Sequence, residues 1–285
     1  MKIAIIADLH ANWIALQTIV EHLDAWNPDQ VIVAGDVINR GPRPAECLQL
    51  ILERQHTQGW RLVRGNHEDY VIHQAQPETS HSGSAAEVHR ASNWTLQKLR
   101  GNVAVLEEMP FQQSMLGPDG REVRFVHASM LGNRIGIYPE NSDEELIEKM
   151  DLHSPERRDR RLAVFCVGHT HRPLIRQIHG ILVVNAGSAG LPFDEDTRPC
   201  YARLTWANGT WSAEIIRLRY DLAAADHDFY DSGYLPEAGP LVKLVQIELR
   251  TARSQLYHWA IRYQDRAMAG EISMEESVNR YLAGC

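Results

Sequence analysis

The stretch VFCVGHTHRP (Val164–Pro173) joins four apolar residues to a glycine and two histidines separated by one threonine. A short apolar run of this kind reads as a strand buried on both faces, because a sheet covered on both sides loses the in–out alternation. His169 and His171 then stand at the strand's carboxyl end. Such a pair is common by chance and acquires meaning only if other strand ends supply partners.

The rest of the chain supplies them. Ile3–Ala7 ends in Asp8-Leu9-His10, Val31–Ala34 in Gly35-Asp36, Arg61–Arg64 in Gly65-Asn66-His67-Glu68, and Val123–Val126 in His127. Helical patterns lie between them, with Leu16, Ile19, Val20 and Leu23 on one stripe and Leu48, Ile51 and Leu52 on another, behind Pro42 and Pro44. Strand–helix alternation predicts a layered α/β fold. Further on the pattern changes to hairpins. Leu174–Ile178 turns at His179-Gly180 into Ile181–Val184, and Tyr201–Trp206 turns at Asn208-Gly209, a strong type I′ signal, into Trp211–Ile216. A parallel first half and an antiparallel second half predict two sheets packed face to face with helices outside.

Residues 76–110 read as a helical insert, from the polar Ser80–Ser84 loop into Val88, Trp94, Leu96 and Leu99. From about residue 221 an acidic linker, Asp221–Asp231, leads into a long helical stripe running from Leu241 through Val245, Leu249, Ala252, Leu256 and Trp259 to Tyr263. Ser273-Met274-Glu275-Glu276 is a capping-box signature for a last short helix. The expected organisation is a domain over 1–220 and a C-terminal helical extension over 221–285. The extension packs on that domain or, as the alternative, forms a homodimer contact.

Composition narrows the classes. The 285 residues, 44% hydrophobic and 23% charged, are those of a soluble globular protein. A net charge of −8 works against long nucleic acid as a partner. The run Glu156-Arg157-Arg158-Asp159-Arg160-Arg161 mixes both signs and reads as a solvated face. Cys47, Cys166, Cys200 and Cys285 lack C-x-x-C spacing, which argues against a disulfide framework or a zinc ribbon, and Cys166 reads as core. MKIAIIADLH (Met1–His10) is too short for a signal-peptide core, and no stretch approaches a membrane span. The expectation is a cytoplasmic protein without a membrane partner.

In open α/β sheets ligands gather beyond the carboxyl ends of the strands, so the five tips should meet. Residues i and i+2 of an extended segment point to one side, which predicts that Asp8 and His10 face one point, as do His169 and His171. Neighbours diverge, setting His67 apart from Asn66. The inward set is Asp8, His10, Asp36, Asn66, His127, His169 and His171. Seven ligands exceed one tetrahedral ion and suit two divalent ions if a carboxylate bridges them. Carboxylate, amide and imidazole without thiolate favour Mn, Fe or Zn. Two such ions about 3.5–4 Å apart are a template for phosphoryl hydrolysis by a metal-bridging hydroxide. His67 is then placed to protonate the leaving oxygen as general acid. Singly, each motif is more often structural than functional, and His127 alone would be a satisfied core histidine. Five together at five strand ends are not explained that way.

These motifs resemble those of the calcineurin-like metallophosphoesterases over about residues 1–220. The resemblance also includes Gly35-Asp36-Val37-Ile38-Asn39-Arg40-Gly41-Pro42 and Val126-His127-Ala128. Val184-Asn185-Ala186-Gly187-Ser188-Ala189-Gly190 resembles the family's small bacterial branch. The resemblance implies a four-layer αββα sandwich. It also implies one metal on Asp8, His10, Asp36 and His171 and another on Asp36, Asn66, His127 and His169. The branch of protein Ser/Thr phosphatases and symmetrical diadenosine-tetraphosphate hydrolases carries GDxxDRG, whose arginine grips phosphate and whose second aspartate orients the catalytic histidine. Arg40 matches that arginine. Asn39 departs from the aspartate; an amide holds an imidazole N–H but cannot stabilise an imidazolium by charge. The expected function is dinuclear hydrolysis of a small phosphomonoester, a dinucleoside polyphosphate or a phosphoprotein. The alternatives are a cyclic-nucleotide phosphodiesterase or nuclease on the same scaffold, or a catalytically silent metal-binding scaffold protein, against which the complete ligand set argues.

Overall fold

The computed structural model describes residues 1–152 and 162–284. His153, the charged run at 156–161 and Cys285 lie outside the described residues. The chain begins β1 (Lys2–Ile6), α1 (Trp13–Trp26), β2 (Gln30–Ala34), α2 (Pro44–Gln58), β3 (Arg61–Val63) and α3 (Asn66–Gln74). Three helices follow, α4 (Ser84–Glu87), α5 (Arg90–Lys98) and α6 (Ala104–Glu107), then β4 (Gln112–Leu116), β5 (Glu122–Val126) and α7 (Asp143–Lys149). Next come β6 (Leu162–Val167), β7 (Leu174–Ile178), β8 (Ile181–Asn185), β9 (Cys200–Ala207) and β10 (Thr210–Arg217). The remainder is helical: α8 (Leu222–Asp231), α9 (Tyr234–Glu237), α10 (Val242–Thr251), α11 (Leu256–Trp259), a π segment (Ala260–Gln264), α12 (Asp265–Met268) and α13 (Met274–Ala283).

Two five-stranded sheets result, ordered β10-β9-β1-β2-β3 and β4-β5-β6-β8-β7. Both are mixed. β1, β2 and β3 are parallel, while β9 runs antiparallel to β1 with Leu204 opposite Ile3. In the second sheet β5, β6 and β8 are parallel and β4 and β7 close the edges antiparallel. The expected split into a parallel first half and an antiparallel second half therefore does not describe the sheets. A hairpin's turn fixes its internal direction, but burial decides which edge it joins. Ala202 and Leu204 of β9 enter the same core as Ile3 and Ile5 of β1. β4 carries no legible pattern, because Gln112-Gln113-Ser114 lacks the apolar alternation of a half-buried strand.

The layers follow from the faces of the strands. Ile3, Ile5, Ile32 and Val63 meet Val123, Phe125, Val164 and Cys166 between the sheets. Ala4, Ile6, Val31 and Val33 face Leu16, Ile19 and Leu23 of α1 and Ile51 of α2 on one outer side. Phe165, Val167 and Val183 face Leu146 and Met150 on the other. This is the αββα sandwich. Cys47, Cys166 and Cys200 are buried free thiols.

Beyond β10 two expectations change. Asp221–Asp231 is no linker but helix α8, because Asp221 caps it by accepting from the Ala224 N–H at 2.9 Å while Ala225 and Phe229 bury one face. The long stripe from Leu241 to Tyr263 is broken at Ala252, which takes a left-handed φ of 50°. Ser273 caps α13, its Oγ accepting from Glu276 N–H at 3.1 Å, which is the N-cap half of the expected box. Among the described residues no helix is long and apolar enough to cross a membrane.

Candidate metal centre and its pocket

All seven inward residues meet beyond the carboxyl ends of β1, β2, β5 and β6 and the amino end of α3. The reason differs from extended-strand geometry. Asp8, His10, Asp36, His169 and His171 have φ between 49° and 68°. This left-handed region is sparsely used by non-glycine residues, and such strain concentrates at functional sites. Asp8 and His10 do share a cluster, with His171. His169 and His171, expected to face one point, instead turn to neighbouring clusters, His169 joining Asp36 and His127. Asn66 and His67 open helix α3 rather than extending a strand, and His67 falls in a third grouping with His10 and Asp36, closer to the ligand set than expected.

Close approach explains two of the glycines. A Cβ on Gly65 would collide with the Asp36 carboxylate, and one on Gly168 with that of Asp8. Gly168 thus makes room for a ligand. The Asp8 carboxylate in turn accepts the His169 N–H at 2.7 Å.

Hydrogen bonds fix which ring nitrogens point inward. His10 Nδ1–H donates to the Asn39 carbonyl at 3.2 Å, His127 Nδ1–H to that of Ala34 at 2.8 Å, and His171 Nδ1–H to that of Leu191. Each neutral imidazole then presents a bare Nε2 lone pair to the centre. Those lone pairs meet other acceptors. His10 Nε2 stands 3.0 Å from His171 Nε2, which stands 3.4 Å from Asp8 Oδ1. His127 Nε2 stands 3.0 Å from Asn66 Oδ1 and 3.3 Å from Asp36 Oδ2. His169 Nδ1 is 2.8 Å from the same Asn66 oxygen. Asp36 Oδ2 also lies 3.8 Å from His10 Nε2, within reach of both groups. Asp8 Oδ1 is buried without a hydrogen-bond donor. Acceptor atoms converging in this way call for positive charge between them, a proton or a cation, and this donor set fits divalent metal ions.

The electrostatics favour the neutral ring at His10 and His169, whereas at His127 the Asp36 charge favours a proton on Nε2 wherever no cation takes that place. Burial, then the adjacent His171, holds His10 well below the usual imidazole range, and burial with His127 brings His169 down to about 4. Burial also opposes charge on His127, yet Asp36 pushes it up to about 10. Burial alone would raise Asp36, but His127 and His67 hold it well below the carboxylate range.

Several supporting residues have no legible role in the sequence. Glu68 is buried; its Oε2 accepts the N–H groups of Gly65 and Asp36 at 2.8 Å each, and its Oε1 those of Val37 at 2.9 Å and Ile38 at 3.4 Å. It ties the β2 and β3 tips together, although burial and the Asp36 charge push its carboxyl up to about 7. Asn185 donates to the Gly168 carbonyl at 2.9 Å, and Ser188 Oγ to that of Asp8 at 2.7 Å, so the Val184–Gly190 segment buttresses two ligand loops. Phe193 stacks on His171 with centroids 4.3 Å apart and planes at 13°.

A cavity of about 950 Å³ opens over the centre, with Arg40 and His67 in its lining. Arg40 sits in a left-handed turn at φ 62°, and among the described residues its guanidinium pairs with no carboxylate. Three residues on, Arg43 clasps Asp228 of α8 through Nε at 2.8 Å, fastening this loop to the C-terminal helices.

Two mixed sheets that deliver carboxylates and imidazoles to one edge, beside an uncommitted guanidinium, define a metal-dependent hydrolase of phosphoester bonds. Residues 1–209 match the calcineurin-like phosphoesterase superfamily domain, and the chain belongs to that family. An uncharacterised protein of Methanocaldococcus jannaschii is 24% identical over 243 residues, covering 78% of this chain and 89% of its own length. The structure is similar to that of a metallophosphoesterase from Sphaerobacter thermophilus, with a TM-score of 0.66 and 25% identity over 88% of this chain and 99% of the other. A hypothetical protein from Pyrococcus horikoshii shares the fold with a TM-score of 0.70 and 18% identity, over 89% and 99% of the two chains.

Proposed function

We infer that the protein hydrolyses a small phosphomonoester with two divalent metal ions. Asp8, His10 and His171 would hold one ion and Asn66, His127 and His169 the other, with Asp36 shared. The observation that carries this reading is the convergence of three carbonyl-fixed imidazoles, each turning Nε2 toward other ligand-type atoms. When bound, such ions polarise phosphate oxygens and lower the pKa of water. The chain's own residues do the rest. Arg40 offers a forked guanidinium to the phosphate. A neutral imidazole is no general acid, so His67 serves the leaving oxygen as a hydrogen-bond donor, through the Nε2–H turned away from Asn39, and stabilises the charge that develops there. Buried Glu68 and Asn185 keep the ligand loops in register, so that little reorganisation is needed when substrate arrives.

The testing experiment is an assay of metal-loaded protein with Mn, Ni, Mg or Zn on p-nitrophenyl phosphate, its bis ester and diadenosine tetraphosphate. Metal-dependent turnover of the monoester in preference to the other two supports this reading. Preference for the bis ester moves the assignment to a phosphodiesterase, and preference for the dinucleotide to a polyphosphate hydrolase. No turnover of any of them under any metal leaves a scaffold protein.

A further inference from the structure

The cavity over the centre has walls of two origins. One belongs to the family domain and includes Arg40, His67, Tyr70 and Tyr138; the other is Arg253–His258, which lies beyond the family match ending at residue 209. The second wall is fastened at several points. Glu248, wholly buried in α10, accepts the N–H groups of Gln255 at 2.7 Å and Leu256 at 2.9 Å. The Ala252 carbonyl accepts the Glu195 N–H at 3.0 Å, and Arg253 pairs with the Glu195 carboxylate at 3.1 Å. Glu195 lies two residues from Phe193, the ring stacked on His171. The extension is thereby held in fixed register with the metal centre.

The chemistry of this lining is aromatic more than cationic. Tyr70, Tyr138, Phe193 and Tyr257 line the cavity, and Tyr138 and Tyr257 remain 41% and 64% exposed. The rim guanidiniums are already committed, Arg172 to Glu140 and Arg253 to Glu195. Arg40 alone among the arginines lining the cavity pairs with no carboxylate among the described residues. The Arg134 guanidinium lies 4.8 Å from the centroid of Tyr70 and Lys149 Nζ 5.8 Å from that of Tyr138, whereas no such cation is found over Tyr257 among the described residues. The site therefore offers one anion position and, beside it, the more open ring of Tyr257. Flat faces of this kind are covered well by a ring stacked or set edge-on.

Resting on the phosphomonoesterase reading above, we propose that Tyr257 of the C-terminal extension, which lines the same cavity as Tyr138 and Tyr70, is a specificity-determining residue that receives an aromatic ring of the substrate alcohol. The preferred substrate class is a phosphomonoester whose organic part carries an uncharged planar ring rather than a second phosphate.

The test compares 2-phenylethyl phosphate with butyl phosphate, two alkyl monoesters with similar leaving groups that differ in the ring. Wild type should favour the phenylethyl ester by about tenfold in kcat/KM, carried by KM, as a ring–ring contact allows. Tyr257→Ala should lose most of that preference and leave butyl phosphate kinetics within about twofold. Ile261→Ala, an exposed neighbour outside the cavity lining, should keep the preference. Equal kinetics for the two esters in wild type, or a preference that survives Tyr257→Ala, overturns the proposal. Should neither ester be hydrolysed, the phosphomonoesterase reading fails separately. Calorimetric titration of 2-phenylethylphosphonate against butylphosphonate into Mn-loaded protein then decides the wall. Tighter binding of the aromatic phosphonate that Tyr257→Ala removes sustains it, and equal affinities overturn it.

Discussion

The side-chain amide of Asn39 donates from Nδ2 to Nδ1 of His67 across 3.0 Å. Its orientation is settled by its neighbours: the Arg40 backbone N–H, which can only donate, meets Oδ1 at 3.0 Å, and Ser92 Oγ lies 2.9 Å from Nδ2. The amide thus holds the ring by donating to it, not by accepting an imidazole N–H as expected, and the neutral ring carries its proton on Nε2. An aspartate in this place would instead draw the proton to Nδ1 and favour the imidazolium. Removing the ring with His67→Ala should leave metal content unchanged and cut kcat by roughly 10²–10³-fold. The loss should be greatest for esters with poor leaving groups, on which most charge develops. Rates across a leaving-group series, with elemental analysis of bound metal, check this; an equal loss for good and poor leaving groups removes the role at the leaving oxygen.

Glu68→Gln replaces an acceptor of four backbone N–H groups with an amide that must turn hydrogens toward some of them. A buried N–H left without its acceptor costs about 1–3 kcal/mol, so the variant should lose about 2 kcal/mol or more. Urea unfolding in the presence of chelator isolates this loss from metal binding. The same variant should bind Mn more weakly, because the loops bearing Asp36 and Asn66 lose their tie.

Metal removal should destabilise the whole domain. Ions that bind only the folded chain at about 100 times their dissociation constant add about 2.7 kcal/mol. For a protein of this size that corresponds to a fall in Tm of about 5–10 °C on chelation. Thermal melts with EDTA and after re-addition of Mn measure it. Identical melting temperatures would sink the two-ion reading.

Asp196 offers a pH dependence remote from the metals. The hydrogen bond from Arg198 draws its carboxyl down to about 2, below its ordinary value of 3.8. A lowered folded pKa adds stability that is present in full above 3.8 and is lost as pH falls toward 2. With both partners partly in solvent, the contribution is a few tenths of a kcal/mol. Asp196→Asn should be less stable than wild type by that amount at pH 5, with the gap closing by pH 2. Urea midpoints across this range provide the measurement.

How much of this was legible in the sequence depended on distance along the chain. The ligand residues announced themselves because each follows a short apolar run, and strand ends gather at one edge whatever the pairing order. The I′ turn at Asn208-Gly209 was equally local, with φ of 51° and 77°. Long-range decisions were not visible. Nothing in Tyr201–Trp206 says that its hairpin returns to β1, and nothing in Gln112–Leu116 marks an edge strand. Glu68 stood in full view within Gly65-Asn66-His67-Glu68, yet its role is set by N–H groups some thirty residues away. The inward turn of Asp8 and His10 was anticipated for a mistaken reason, since left-handed backbone rather than extended alternation aims them. Arg253–His258 carried no signal, because its position depends on Glu248 and Glu195 holding it from elsewhere.

The family match stops at Gly209, inside the turn between β9 and β10, but the hydrophobic interior does not stop there. Trp94 of the insert and Leu191 beside the His171 loop share one cluster with Phe229, Tyr234 and Val245 of the C-terminal helices. The matched segment is thus smaller than the packed unit. A fragment trimmed at Gly209 would strand β9 without its hairpin partner and bare these side chains to water. The reactive edge is built from residues before Gly209, and the residues after it are part of what that edge needs in order to hold its shape.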